Sequence, residues 1–283
     1  MSAGRAALLL FGVHLVLLFF PPIPPIVKGS LWSYLAGYGA VVLGLVELAR
    51  RGGAIRGAWS RTAVRRRWAI GGALVLSVLA LTVALRAAAP GLFSRFSGEE
   101  GLWEPLTVFL YLGCAVLLFG AAREQDGPGR KHWRLVGSAY ALVGLEEIDY
   151  FGIFGGLIGR IEGIYVGSLH DFIHLAAEGR LSAPAWIAIG AVALALHAAL
   201  WRTGYLQPRA IAAMAFSLDI VWAVFGLGFL AYAAVVEIPP FGWHGSGPTP
   251  EEALELAGAA CLVLFALLRW PAAVDASRTP PPP

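Results

Sequence analysis

Charge is what this 283-residue chain has least of. Asp, Glu, Lys and Arg make up 14% of it and hydrophobic residues 58%, whereas a soluble globular domain carries about 25% charged residues. Mean hydropathy is +0.70. So little polar surface excludes a water-soluble cytoplasmic enzyme and a disordered chain. Cysteine is nearly absent: Cys114 and Cys261 each sit in an apolar run, where a thiol packs as a small, unreactive side chain. A secreted disulfide scaffold is therefore excluded too. Alternating ten-residue strands are missing, which rules against a membrane β-barrel. No internal repeat is strong enough to suggest an inverted-repeat transporter. The net charge of +3 comes from basic residues placed between apolar runs, and gives no reason to expect a nucleic-acid partner.

What is present is a series of apolar segments of membrane-spanning length. Eight can be marked, at about Ala6–Val27, Leu31–Leu48, Trp68–Ala88, Leu102–Ala122, Leu135–Gly155, Ala183–Trp201, Ala210–Val236 and Ala253–Leu268. Helices of roughly 17 to 25 residues cross a hydrocarbon core of about 30 Å, and only helices satisfy their own backbone there. The expected fold is all-α: a polytopic transmembrane bundle of about eight spans, one domain over residues 1–270. From Pro271 a proline-rich, disordered tail is expected to residue 283. The first segment runs into Pro21, Pro22, Pro24 and Pro25 with no small-x-small cleavage site, and is expected to be an uncleaved anchor.

Basic residues orient the bundle. With the N-terminus cytoplasmic, sixteen of the 21 Lys and Arg fall on the cytoplasmic side, seven of them between Arg50 and Arg67. That is the positive-inside pattern, and it places both termini in the cytoplasm. Tryptophans at segment ends, such as Trp32, Trp68, Trp103 and Trp201, form the matching aromatic belt. The expected setting is a membrane, with the lipid bilayer as first partner. The arginine-rich loop from Arg50 to Arg67 sets topology and has the charge to meet anionic headgroups.

Acidic residues gather on the opposite side. Glu146, Glu147 and Asp149 stand out because they fall inside the fifth segment, Glu146 being about 20 Å along a helix that starts at Trp133. An ionisable side chain at membrane depth is costly unless paired, and faces a bundle interior or a wet cavity. Glu146 and Asp149 share a helix face and Glu147 is turned about 100° from them. Two carboxylates on one face are stable when one holds a proton or when a cation sits between them. If the helix ends early at Gly144, the acids are simply wet. His170 and His174 are four apart, the spacing at which two imidazoles on a helix ligate one metal, with Asp171 beside them to orient or ligate. A flexible Gly-rich loop is the other reading of that stretch. Asp219, in the seventh segment, needs a partner in the bundle, and Glu100 and Glu104 open the fourth. His14 and His197 are expected to be satisfied core residues.

Residues 97–175 resemble a family of uncharacterised bacterial polytopic membrane proteins. Its members carry an E-D-G-x-x-E-x-L-T stretch opening one span, a G-E-E-I-S-W-G-Q-like segment ending the next, and then N-L-H-N. The corresponding residues are Glu99 to Thr107, Gly144 to Gly152, and Ser168 to Asp171. Leu145 is inserted after the Gly, Asp149 and Tyr150 replace Ser and Trp, and no Gln follows Gly152. The resemblance implies membrane residence and marks Glu100, Glu104, Glu146, Glu147 and His170, without naming a reaction.

Three functions follow from these residues. The first is a metal-dependent membrane hydrolase acting on a lipid-like substrate. In it Glu147, Asp149, His170 and His174 hold zinc, iron or manganese, Glu146 and Glu147 serve catalysis, and Glu100, Glu104, Asp171 and Asp219 give support. The second is a proton- or cation-coupled transporter or channel using the same carboxylates. The third is a non-catalytic assembly protein whose acids pair with Arg86, Arg95 or Arg160.

Overall fold

The computed structural model of the chain describes residues 2–19, 29–96, 101–148, 160–161, 164–165, 182–202, 204, 207–208, 217–237 and 251–278. Among these the fold is all-α. In chain order the helices are α1 (Ala3–Phe19), α2 (Gly29–Arg61), α3 (Val64–Ala88), α4 (Pro90–Phe96), α5 (Trp103–Arg123), α6 (Gly127–Glu146), α7 (Ala183–Arg202), α8 (Ile220–Glu237) and α9 (Glu251–Arg278). Between α6 and α7 lies one short antiparallel pairing, β1 (Arg160–Ile161) with β2 (Ile164–Tyr165), in which Arg160 faces Tyr165 and Ile161 faces Ile164.

The chain divides into two compact units, one of residues 1–148 with 225–283 and one of residues 149–224. The first unit holds α1 to α6, most of α8, and α9. The second holds the strand pair, α7 and the start of α8.

Among the described residues, two helices are long and apolar enough to cross a membrane: Val64–Ala88, with mean hydropathy 2.2, and Trp103–Arg123, with 2.0. Apolar stretches at Ala3–Leu17 and Ile220–Ala233 are shorter. α3 differs from the core helix of a soluble domain in that only 17% of its apolar stretch is buried. Ile70, Leu74, Leu76, Leu81 and Val83 all point outward, whereas a helix in water turns its apolar face in.

Four segment boundaries differ from the sequence expectation. The arginine-rich loop is largely helix, because α2 continues to Arg61 and α3 starts at Val64. Alanines and arginines are good helix formers, and Arg51 Nε pairs with Glu47 Oε1 one turn earlier at 2.5 Å. With 33 residues, α2 is about 50 Å long and outreaches a hydrocarbon core, so its arginines ride on a helical extension. α6 ends at Glu146 rather than Gly155. Asp219 is not inside a span: Ser217 to Asp219 form a turn and Asp219 immediately precedes α8, its carbonyl accepting the Trp222 N–H at 3.1 Å. An acidic residue there complements the positive helix start. Finally, the backbone stays helical through Pro271 to Arg278 where a tail was expected; residues 279–283 lie outside the described ones.

The continuation past Pro271 leaves one carbonyl to be satisfied from outside the helix. Proline has no N–H to give the carbonyl four residues earlier, which leaves Leu267 without a donor from its own helix. The Trp59 indole Nε1 donates to Leu267 O at 2.9 Å. That bond fills the vacancy and fastens the end of α2 to α9.

Packing in the first unit is set by small residues. A Cβ on Gly71 of α3 would collide with the Leu264 side chain of α9, and one on Gly226 of α8 would come within 3.0 Å of the Gly258 carbonyl of α9. Cys114, Leu118, Ala121, Ala122, Trp133 and Ala266 form one buried cluster between α5, α6 and α9. Leu102, Trp103, Ala253 and Leu256 form a second at the other end of α5. Both cysteines are buried free thiols, as expected of packing residues. His14 is buried, but His197 is exposed on α7 and stacks on Trp201, so it is not the core residue expected. α6 opens at Asp126 and Gly127, whose φ of 58° favours glycine, followed by a proline in the first turn.

Two outcomes follow. Trp59→Phe is expected to lower stability by about 1–3 kcal/mol, the cost of an unmet buried acceptor, and Pro271→Ala, which restores an in-helix donor, should remove most of that penalty. A thermal double-mutant cycle in detergent reads it directly, and additive effects would refute the assignment. The second concerns His132, which lies before the apolar part of α6, edge-on to the Trp133 ring at 4.7 Å. Burial, and then the nearby Arg269 charge, hold its pKa below the ordinary value. The folded state therefore binds fewer protons than the unfolded chain as pH falls through about 6.5 toward the lower folded value, and stability present above that window is lost within it. Melting temperature should drop over that range in the wild type, and the drop should be smaller in His132→Gln.

Candidate functional site

The site begins with how α6 meets α5. Trp133, Gly137, Tyr140, Gly144 and Glu147 recur every three or four residues, which puts them on one face of a helix. That face is pressed onto α5. A Cβ on Gly144 would stand 2.9 Å from the Tyr111 Cβ, one on Gly137 would touch Phe119 and Leu118, and the Tyr140 and Tyr111 rings are 6.2 Å apart. Glu147, one turn past Gly144, caps α6 with its N–H on Val143 O at 3.4 Å and emerges on the α5 side.

Glu147 does not stand alone. The charges of Glu255, Glu104, Glu146 and Glu251 all act on it. Glu104 comes from the first turn of α5 and Glu251 from the first turn of α9, with Glu255 one turn further on. Carboxylates from three helices thus lie within electrostatic reach of one another. Acidic side chains suit helix starts because the positive end of the helix dipole favours them, which accounts for two of these contributions. Glu104 accepts a hydrogen bond from the Tyr38 hydroxyl of α2.

Beneath the carboxylates lies Tyr111. It shares a face of α5 with Glu104 and Thr107, is 1% exposed, and feels the charges of Glu147 and Glu255. Among the described residues, neither its hydroxyl nor that of fully buried Thr107 has a hydrogen-bond partner. One layer further in, the Tyr140 hydroxyl donates to Leu262 O of α9. The arrangement is therefore an acidic end, then two unanswered hydroxyls, then a satisfied tyrosine, then the Cys114–Trp133 core. Hydroxyls both give and accept hydrogen bonds, so this ladder can receive a water, a proton carrier or the oxygen of a small ligand.

The structure sorts the expected site residues. It places Glu104 and Glu146 within electrostatic reach of Glu147. Glu146 ends α6 and Glu147 follows it, so the pair sits at a helix end and not within a continuing helix. Glu100, Asp149, His170, Asp171 and His174 lie outside the described residues. Asp219, at the α8 start, belongs to the second unit. Of the basic residues considered as partners, Arg86 places its guanidinium over the Phe93 ring at 5.9 Å. Among the described residues no three His, Cys, Asp or Glu are grouped as a metal ion requires.

Sequence reasoning missed Glu251, Glu255, Tyr38 and Tyr111. The two glutamates read as the edge of a loop. A signal for Tyr111 did exist, in the polar positions Glu104, Thr107 and Tyr111 spaced three and four apart through an otherwise apolar helix. Compared with known protein families, curated proteins and solved structures, the chain matches none.

The two tyrosines should separate in a stability assay. Tyr140→Phe loses a made hydrogen bond and is expected to cost about 1 kcal/mol, whereas Tyr111→Phe removes an unanswered buried hydroxyl and should be neutral or stabilising by up to about 1 kcal/mol. A clear loss of melting temperature in Tyr111→Phe would mean that its hydroxyl has a partner in the fold.

Proposed function

We propose that this chain is a multi-pass protein of a bacterial inner membrane, of about eight spans with both termini cytoplasmic. In this reading the carboxylates of Glu104, Glu147, Glu251 and Glu255 bind and release protons or a cation in the outer half of the bilayer, as part of proton- or cation-coupled transport. One observation carries it: acids from three separate helices act on Glu147, and two of them, Glu147 and Glu255, act on the buried Tyr111, whose hydroxyl has no hydrogen-bond partner among the described residues. Carboxylates grouped away from bulk water share a proton or take up a cation, and such residues in membrane helices mark ion and proton routes. The outward-facing apolar side chains of α3 and the projecting arginines of α2 support the membrane setting.

A metal-dependent hydrolase acting on a lipid-like substrate is the second reading, and it uses the same Glu147. Its further ligands, Asp149, His170 and His174, are outside the described residues, so the grouped carboxylates favour the first. An assembly protein with the acids neutralised by arginines is a third, and the same experiment separates it.

The full chain, purified and reconstituted in liposomes, should pass protons or monovalent cations down an imposed gradient. Glu147→Gln and Glu255→Gln should each cut that flux by at least about tenfold, the scale of a lost proton-transfer group. Absence of flux with either ion, in protein that resists carbonate extraction from membranes, would sink the transport reading. Zinc, iron or manganese bound at one per chain, and lost in Glu147→Gln, would move the assignment to the hydrolase.

A further inference from the structure

A second polar place lies at the opposite, arginine-bearing ends of α2 and α5. There a cleft of about 450 Å³ opens between the two helices, bordered by Gly52, Gly53 and Arg56 of α2 and by Gly120, Arg123 and Glu124 at the end of α5. Its charges are layered. The Arg56 side chain is only 12% exposed, whereas its partner Glu124, whose carboxylate accepts from the guanidinium, is 55% exposed. The cation lies at the bottom and the anion at the rim.

Glycines make this possible. A Cβ on Gly120 would overlap the Arg56 guanidinium, and one on Gly52 would approach its Nη1 to 3.2 Å. The absent side chains thus form a cradle for a planar fork of N–H donors. At the mouth a second cation, Arg123 of α5, is exposed beside Glu124. A half-exposed ion pair contributes little and exchanges readily. A guanidinium matches a phosphate with two parallel hydrogen bonds.

We propose that this cleft binds the phosphate of an anionic phospholipid headgroup, which takes the place of the Glu124 carboxylate on Arg56. The helix ends that form it carry the arginines placed at the cytoplasmic headgroup level, where anionic lipids concentrate basic residues. The proposal rests on the membrane placement given above and not on ion transport, and carbonate extraction reports on that placement separately.

The test uses the full chain in a neutral detergent, titrated with short-chain phosphatidylglycerol, short-chain phosphatidylcholine and inorganic phosphate, and read by thermal shift and native mass spectrometry. Phosphatidylglycerol should bind about fivefold or more tighter than phosphatidylcholine, the scale of one basic residue acting on an anionic lipid. Arg56→Gln should abolish that preference. Glu124→Gln should strengthen phosphatidylglycerol binding, because it removes the competing anion. A purely structural ion pair predicts the opposite, a less stable Glu124→Gln variant with no gain in binding. The proposal is overturned if the two lipids bind alike, if Glu124→Gln gains nothing, or if inorganic phosphate alone reproduces the full Arg56-dependent shift. The Glu124→Gln arm keeps the test decisive should Arg56→Gln fail to fold.

Discussion

The close approach of α6 to α5 at Gly144 determines where the acids stand. Any side chain there would press on Tyr111 and Leu112 and push the two helices apart. Because Gly144 and Glu147 share a helix face, the same contact that closes the helix pair aims Glu147 at Glu104 and Tyr111. The α9 helix joins by the same means: Leu264 fills the space that Gly71 leaves on α3. Small residues buy closeness, and closeness is what lets carboxylates from three helices interact.

A second constraint runs through the molecule. Away from water, each polar atom needs a counterpart. The chain answers this in two ways. Where the counterpart is structural it is another helix's backbone, as with Trp59 on Leu267 O and Tyr140 on Leu262 O. Among the described residues the Tyr111 and Thr107 hydroxyls are given no such counterpart, and both lie on the face of α5 that carries Glu104. The contrast between two tyrosines 6.2 Å apart separates architecture from chemistry within one helix pair.

How much of this was legible beforehand depends on the type of signal. Apolar runs are read from composition, so α3 and α5 fall almost where expected. Glu104, Glu146 and Glu147 are conspicuous because charge is rare here. Boundaries were less legible: the glycines among the arginines of α2 look like loop residues, yet Gly52 and Gly53 sit inside a helix and make room for Arg56. Pro271 looks like a helix terminator, yet the helix runs past it, and the Leu267 carbonyl that it leaves without an in-helix donor is met by a tryptophan more than two hundred residues away. Glu255 belongs to the acidic group through tertiary packing alone, since nothing in its local sequence sets it apart from Glu251 or Glu252. The metal-site expectation of His170, His174 and Asp149 concerns residues beyond those described.

The two backbone ties on α9 carry a mechanical consequence. Leu262 and Leu267 are five residues apart, or about 7–8 Å along the axis, and each is gripped by a side chain from a different helix. A piston stroke of α9 by one turn would break both grips at once. The two ties thus act as pins against axial sliding, and Glu255 and Glu251 stand seven and eleven residues beyond the nearer one, on the part of α9 that neither pin holds.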